Sequence, residues 1–239
     1  MIIHQHWDSD FFGIKIGKME IQNAKTFDVK LFKKCYKMEE FDLIYLFVNG
    51  GMLSKQQIFD ANLELIDIMI YCSLELSELS SPNSTFELFS QPSEQELNEI
   101  YAISDQISSV SRFYREEKLG PTKAKELYRK WIDNTFNKSY ADGILVSRTN
   151  ERISGLFVVK NDYQLKVGYC SLIGVEKSFK GLGVGKQLWN DALSYWSKIS
   201  LIEKAIVPFS FLNEESLAFH IKIGFRKIEK INYIYHYRK

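Results

Sequence analysis

Residues 172–186, LIGVEKSFKGLGVGK, constrain the fold more than any other stretch of this 239-residue chain. An apolar run ending at Val175 predicts a strand. Leu188, Trp189, Ala192, Leu193 and Trp196 then recur at helical spacing. Between strand and helix, Gly181, Gly183 and Gly185 alternate in a basic turn. Alternate glycines let successive backbone N–H groups face one concavity. The helix that follows adds unbonded N–H groups and the positive end of its dipole. Strand, glycine turn and helix together predict a phosphate-binding loop.

Spacing narrows the choice of phosphate. The dinucleotide fingerprint G-x-G-x-x-G fails, because it needs glycine where the chain has Lys186 or Leu188. The loop G-x-x-x-x-G-K-[ST] fits Gly185-Lys186, but Lys180 stands in place of its first glycine and Gln187 in place of the magnesium-binding hydroxyl. Too little chain follows Gly185 for a doubly wound sheet.

Lys180-Gly181-Leu182-Gly183-Val184-Gly185 resembles the coenzyme A loop of the GCN5-related N-acetyltransferases, the GNAT superfamily, written R/Q-x-x-G-x-G/A. Lysine, a point charge, replaces the usual arginine or glutamine. Residues 213–225, NEESLAFHIKIGF, resemble the same family's later motif N-x-x-A-x-x-x-Y-x-x-x-G-F. Asn213, Gly224 and Phe225 match, Ser216 stands for the small residue, and His220 falls where tyrosine is usual. These residues also predict a helix unaided, with Asn213 as N-cap, Glu214 and Glu215 in the first turn, and Gly224 as the stop.

The resemblance implies an α/β GNAT fold: a central mixed, twisted sheet with splayed strands, flanked by helices. It implies acetyl-CoA as cosubstrate. Lys180, Gly181, Leu182, Gly183, Val184, Gly185 and Lys186 would take the pyrophosphate, the backbone of Leu172, Ile173 and Val175 the pantetheine, and Asn213 and Phe219 would line the facing helix. His220 becomes the candidate general acid for the departing thiolate, since an imidazole of ordinary pKa ~6.5 is partly charged near neutrality. Strand Tyr169–Ile173 carries no visible base.

Composition excludes several other classes. With 31 basic and 30 acidic residues the net charge is +1, which argues against nucleic acid as a partner. No run approaches the ~18 apolar residues of a membrane span. The opening MIIHQHWD lacks the pattern of a signal peptide, so a cytoplasmic location is expected. Cys35, Cys72 and Cys170 read as reduced thiols. Neither they nor His4, His6, His220 and His236 have metal-binding spacing, so no metal is expected.

Periodicity divides the chain into a small N-terminal α/β unit, residues 1–90, and a second unit, residues 91–239; the resemblance makes the first the acceptor side and the second the acetyl-CoA-binding GNAT domain. The first unit has strands over Ile14–Ile21, Leu43–Val48 and Leu65–Leu76, with helices around Phe27–Met38 and Gln56–Asn62. A linker rich in Ser, Pro and Asn spans Ser77–Ser93. Helices Glu94–Ser108 and Lys123–Asn137 follow, then strands Ile144–Arg148, Ile153–Lys160, Gln164–Val175 and Lys204–Phe209. A final hairpin is expected from Phe225–Ile228 and Asn232–Tyr237, with an edge that could pair in a homodimer.

Three further stretches narrow the resemblance. Residues 7–13, WDSDFFG, residues 111–113, SRF, and the series Tyr128, Trp131, Ile132, Asn134 resemble the dTDP-fucosamine acetyltransferases. That family implies a nucleotide-linked amino-dideoxy sugar as acceptor, with Ser111, Arg112 and Tyr128 as substrate-binding residues. The fork of Arg112 suits a diphosphate. Taken by themselves, Trp7, Phe11 and Phe12 read as core of the first unit before ligand contacts, and Tyr128 and Trp131 as helix packing. Two alternatives stay open: transfer to another amine (a protein N-terminus, an antibiotic or a polyamine), or a regulatory domain that binds acyl-CoA without catalysis.

Overall fold

The computed structural model describes residues 1–78, 86–199 and 201–239. Among the described residues, nine strands form one mixed sheet. In spatial order they are β1 (Ile3–His4), β2 (Ile16–Ile21), β3 (Leu43–Asn49), β9 (Lys227–Arg238), β4 (Leu63–Glu75), β8 (Lys204–Ser210), β7 (Val167–Val175), β6 (Arg152–Asp162) and β5 (Gly143–Thr149). The β2–β3 and β7–β8 pairs are parallel, and the others are antiparallel.

Helices cover both faces. On one face, α4 (Glu94–Ser108) and α6 (Gly120–Phe136) bury Ile100, Ile103, Leu127 and Ile132 among Ile144, Leu156, Val158 and Leu172. The short helices α1 (His6–Phe12) and α5 (Arg112–Arg115) add Phe11, Phe12 and Phe113 beside Leu43 and Tyr45. On the other face, α7 (Val184–Ser197) and α8 (Glu214–Ile223) pack Leu188, Trp189, Trp196 and His220 near Phe157, Val207, Phe209 and Phe225. There α2 (Val29–Glu39) and α3 (Lys55–Asp60) cover Ile44, Leu46 and Val48 with Phe32 and Ile58. Gly168 makes room for this packing: a Cβ there would stand 2.3 Å from the Trp196 ring.

Most elements lie where periodicity predicts them. Helix α1, which overlaps WDSDFFG, is an addition. The boundary drawn at residue 90 does not interrupt the sheet, since β4 pairs with both β8 and β9. Of the expected Ser77–Ser93 linker, residues 79–85 lie outside the described residues, and Phe89 bridges to Ile144. The final hairpin is corrected to the single strand β9. Glu229 and Lys230 interrupt the apolar pattern as a turn would. In the structure that end of β9 is exposed and passes a register shift opposite Tyr71 and Cys72. From Asn232 to Tyr237, β9 has β3 on one side and β4 on the other, so this segment offers no free edge for a dimer.

Candidate active site

The parallel pairing of β7 with β8 stops at Tyr169–Ile206. Past that point β7 remains bonded to β6, and β8 to β4, so the two strands diverge and the edge of β7 toward β8 is bare. A register shift against β6 falls at Ser171, between Cys170 and Leu172, where a bulge re-aims the strand. Gly174 serves a different purpose. A Cβ there would stand 2.8 Å from Ile103 and Ile107, so its absence lets α4 close onto β7.

Beside this bare edge runs a groove of about 770 Å³. Ile173 and Val175 border it, with Lys180, Gly181, Gly183, Val184, Gly185 and Lys186 of the loop. Asn213, Phe219 and His220 border it from α8 and its cap, and Ile103 and Ile107 from α4. The glycine loop has the backbone the sequence predicts. Gly181 and Gly183 have φ of 81° and 85°, in the left-handed region where a side chain is strained. No side chain caps α7, so the N–H groups of Val184, Gly185 and Lys186 have no intrahelical partner. Asn213 caps α8 by accepting the Ser216 N–H at 3.1 Å.

Two expected residues stand apart. Leu172 turns its side chain into the α4–α6 core and can offer the groove only backbone. Leu182 is 70% exposed and does not border the groove. Lys180 donates to both oxygens of Glu215, at 3.0 and 2.8 Å. Lys186 has no ion pair among the described residues. The groove thus offers backbone donors and lysines to an elongated, phosphate-bearing ligand.

His220 is 1% exposed and surrounded by rings. It stacks on Phe209 at 5.5 Å and meets Trp189, Phe219 and Phe225 edge to face. Its Nδ1 lies 2.7 Å from the Ser216 carbonyl, which can only accept, so Nδ1 carries the hydrogen. Burial pushes the pKa down to about 4, against the Ser216 bond, which favours the charged ring. At neutral pH the ring is therefore uncharged, and Nε2 is a bare, buried lone pair without a partner among the described residues. This corrects the expectation of an imidazolium donor. The ring at rest accepts a proton.

The other three candidates lie on the opposite face. Ser111 caps α5 by accepting the Tyr114 N–H at 3.2 Å, and the buried Tyr128 hydroxyl lies near it. Ser111 thus serves as a helix cap, and Tyr128 packs against Trp131 in the core. Arg112 is different. Its guanidinium lies 4.5 Å from the Tyr45 ring centre and 3.9 Å from that of Phe113. It makes no ion pair with a carboxylate among the described residues, and Nη1 is 3.5 Å from His236 Nε2. Phe12 of α1 stacks on Phe113, and Asp8 of α1 feels the charge of Arg112, so WDSDFFG and SRF converge in space. Trp7 is half-exposed and stacks on Phe11, and Trp131 stacks on Tyr140.

Behind Arg112 is a buried cluster that sequence reasoning missed. Glu116 binds His236 Nδ1 at 2.5 Å and Arg238 Nε at 2.8 Å. Burial works to raise the Glu116 carboxyl, but the bonds from His236 and Arg238 outweigh it and hold it below the usual range. Burial pushes His236 down. Nearby, Asp67 accepts from Arg115 at 3.0 Å and from Ser210, tying α5 to the end of β8. These residues come from distant elements, and no local spacing announces them.

Residues 107–225 match the family described as acetyltransferase (GNAT). That stretch, from the end of α4 to the residue after Gly224, is a GNAT acetyltransferase region. Solved structures agree at the level of fold. A conserved protein of unknown function from Staphylococcus epidermidis ATCC 12228 gives a TM-score of 0.59 at 13% identity, covering 95% of this chain and 84% of its own. A GCN5-related N-acetyltransferase from Sphaerobacter thermophilus gives 0.57 at 9% identity, over 84% of this chain and 63% of its own. One from Kribbella flavida gives 0.54 at 9%, over 93% and 80%. No curated protein matches the chain in sequence. The matched region supports an acyltransferase, in a family described as acetyltransferases.

Proposed function

We propose that this GNAT protein moves an acetyl group from acetyl-CoA to the amine of a small acceptor, a dTDP-linked amino-dideoxy sugar. The observation that carries the transfer is the bare edge of β7 lying beside the glycine loop, with the His220 ring in the wall. The residues fit the cosubstrate. N–H groups at the start of α7 and the lysines suit its pyrophosphate. The unpaired backbone of β7 suits an extended, amide-bearing arm, and a β7 N–H would polarise the thioester carbonyl. The cosubstrate supplies the activated acetyl group, and the chain's own residues orient it and move protons.

His220 is the proton carrier of this reading. As the nitrogen–carbon bond forms, Nε2 takes the proton that the amine must lose. As the carbon–sulfur bond breaks, the charged ring returns that proton to the sulfur. One lone pair thus serves first as base and then as acid.

Arg112 supports the nucleotide sugar. It is half-buried, stacked on aromatic rings and without a carboxylate partner among the described residues, which suits an anionic group of the acceptor. The two stretches that carry the narrower resemblance, in α1 and α5, meet around it. Release of free thiol from acetyl-CoA, with and without dTDP-4-amino-4,6-dideoxy-hexose, tests the proposal. Release that requires the sugar is expected. Release only with other amines keeps the transfer and removes the sugar. No release with any amine would leave a domain that binds acyl-CoA.

A further inference from the structure

The face of the sheet that carries Arg112 has an uncovered strip. At one end α4 and α6 cover β5, β6 and the end of β7, and at the other α1 and α5 cover the start of β3. Between them Phe47, Asn49, Tyr71, Pro208 and Tyr169 are only half-buried. Register puts them all on one face. Asn49 is opposite Asn232, Asn232 opposite Met69, Tyr71 opposite Pro208, and Tyr169 opposite Ile206. The strip therefore ends where β7 leaves β8, at the mouth of the gap beside the groove. Tyr71 stands within electrostatic reach of both Arg112 and Tyr169.

Along this strip the protein keeps polar atoms bare. Asn232 is 3% exposed, and its Oδ1 has no partner among the described residues. Its amide group neighbours the Tyr71 hydroxyl. On the adjacent strand, Asn49 binds Gln22 Oε1 through its Nδ2 at 3.0 Å, and its own Oδ1 is also buried and bare. Buried acceptors are nearly always satisfied, so two side by side call for a donor from outside the chain. The rings of Tyr71 and Phe47 add flat apolar surface beside them. Hydroxyls set on a compact ring would supply donors and apolar edge together.

We propose that Asn232 and Asn49, with Tyr71, form the subsite for the hydroxyl groups of the acceptor's ring, so that the acceptor is a hydroxylated cyclic amine whose amine points along the strip toward the gap. This rests on the acetyltransferase reading and adds to it the residues that recognise the ring. Asn232 Oδ1 and Asn49 Oδ1 accept ring hydroxyls, and the Tyr71 hydroxyl, beside Asn232, meets the same ring.

Steady-state kinetics with dTDP-4-amino-4,6-dideoxy-hexose and its analogue lacking the ring hydroxyls test this. For Asn232→Ala, Asn232→Asp, Asn49→Ala and Tyr71→Phe, the KM for the sugar should rise about tenfold. Its kcat and the KM for acetyl-CoA should stay within about twofold. The analogue should be a poor acceptor for the unmutated protein, and the substitutions should make it no worse. An unchanged sugar KM in variants that hold acetyl-CoA normally overturns the subsite and leaves the transfer intact. An equal loss on the analogue overturns it too, since a general packing role would act on both. Failure of the unmutated chain with every amine removes the acetyltransferase reading, and the subsite falls with it.

Discussion

The groove and the face carrying Arg112 meet at the gap between β7 and β8, but they are made of different material. The groove is backbone: the bare edge of β7, two left-handed glycines and the uncapped start of α7. Most of it comes from one continuous stretch of chain. The opposite face is side chain: Asp8, Tyr45, Arg112, Glu116, Asn232 and His236, drawn from α1, β3, the α5 region and β9. Backbone suits a ligand part that every family member must hold. Side chains suit a part that differs between members, because substitution changes them without changing the fold.

This contrast can be broken at both ends. The largest expected effect is at His220, whose bare nitrogen serves both sides. His220→Ala should lower kcat by about 100-fold, in the range of lost acid–base catalysis, with both KM values little changed. The unmutated protein should hold its kcat across the neutral range and lose it only as the pH nears 4, where the ring takes up a proton. A kcat that instead falls as pH rises through neutrality would restore the imidazolium acid.

Acid stability compares the two regions directly. His220 and His236 are both pushed down from 6.5 by burial. The unfolded chain therefore binds more protons than the folded one between the two pKa values. Stability is full above the unfolded value and is lost as pH falls through the folded one, by up to about 3 kcal/mol for His220. Urea midpoints measured at pH 7 and pH 5 should show the loss, and His220→Gln should reduce it.

Two substitutions separate donor from acceptor. Gly183→Val forces a branched side chain into left-handed backbone, at about 1–2 kcal/mol, and should raise the acetyl-CoA KM about tenfold while sparing the acceptor's. Arg112→Ala should do the reverse, with an acceptor KM about tenfold higher, roughly 1.4 kcal/mol. If both variants raise both constants equally, the two regions are not separate sites. The smallest effect is at Glu215, which competes for Lys180. Glu215→Gln should tighten acetyl-CoA binding by about two- to fivefold at low salt, because exposed pairs are worth at most ~1 kcal/mol, and 0.5 M salt should erase the gain.

The same contrast explains what was legible. The glycine loop, the strand before it and the Asn213 cap are local patterns, and the chain folds them as read. Arg112 was visible because it sits in a short motif. Ser111, in the same motif, and Tyr128, in the Tyr128–Asn134 series, were assigned to substrate; in the structure Ser111 caps α5 and Tyr128 packs against Trp131. Glu116, Asn232 and His236 gave no signal, since the path of β9 through the sheet and the packing of α5 on it bring them together. His220 was legible by position but not by charge. Its protonation depends on Phe209, Trp189 and Phe225 around it, and a sequence does not show that burial.

One consequence of the sheet order concerns how the chain assembles. β3 and β4 are neighbours in sequence, yet β9 lies between them. A growing chain makes both early and the strand that joins them last. Until then each has an unpaired inner edge, and the two halves of the sheet have no bonded connection. The centre of the molecule must close by pairings of very long sequence separation, which slows folding and leaves strand edges open to wrong partners. Removing β9 would therefore split the sheet through its middle.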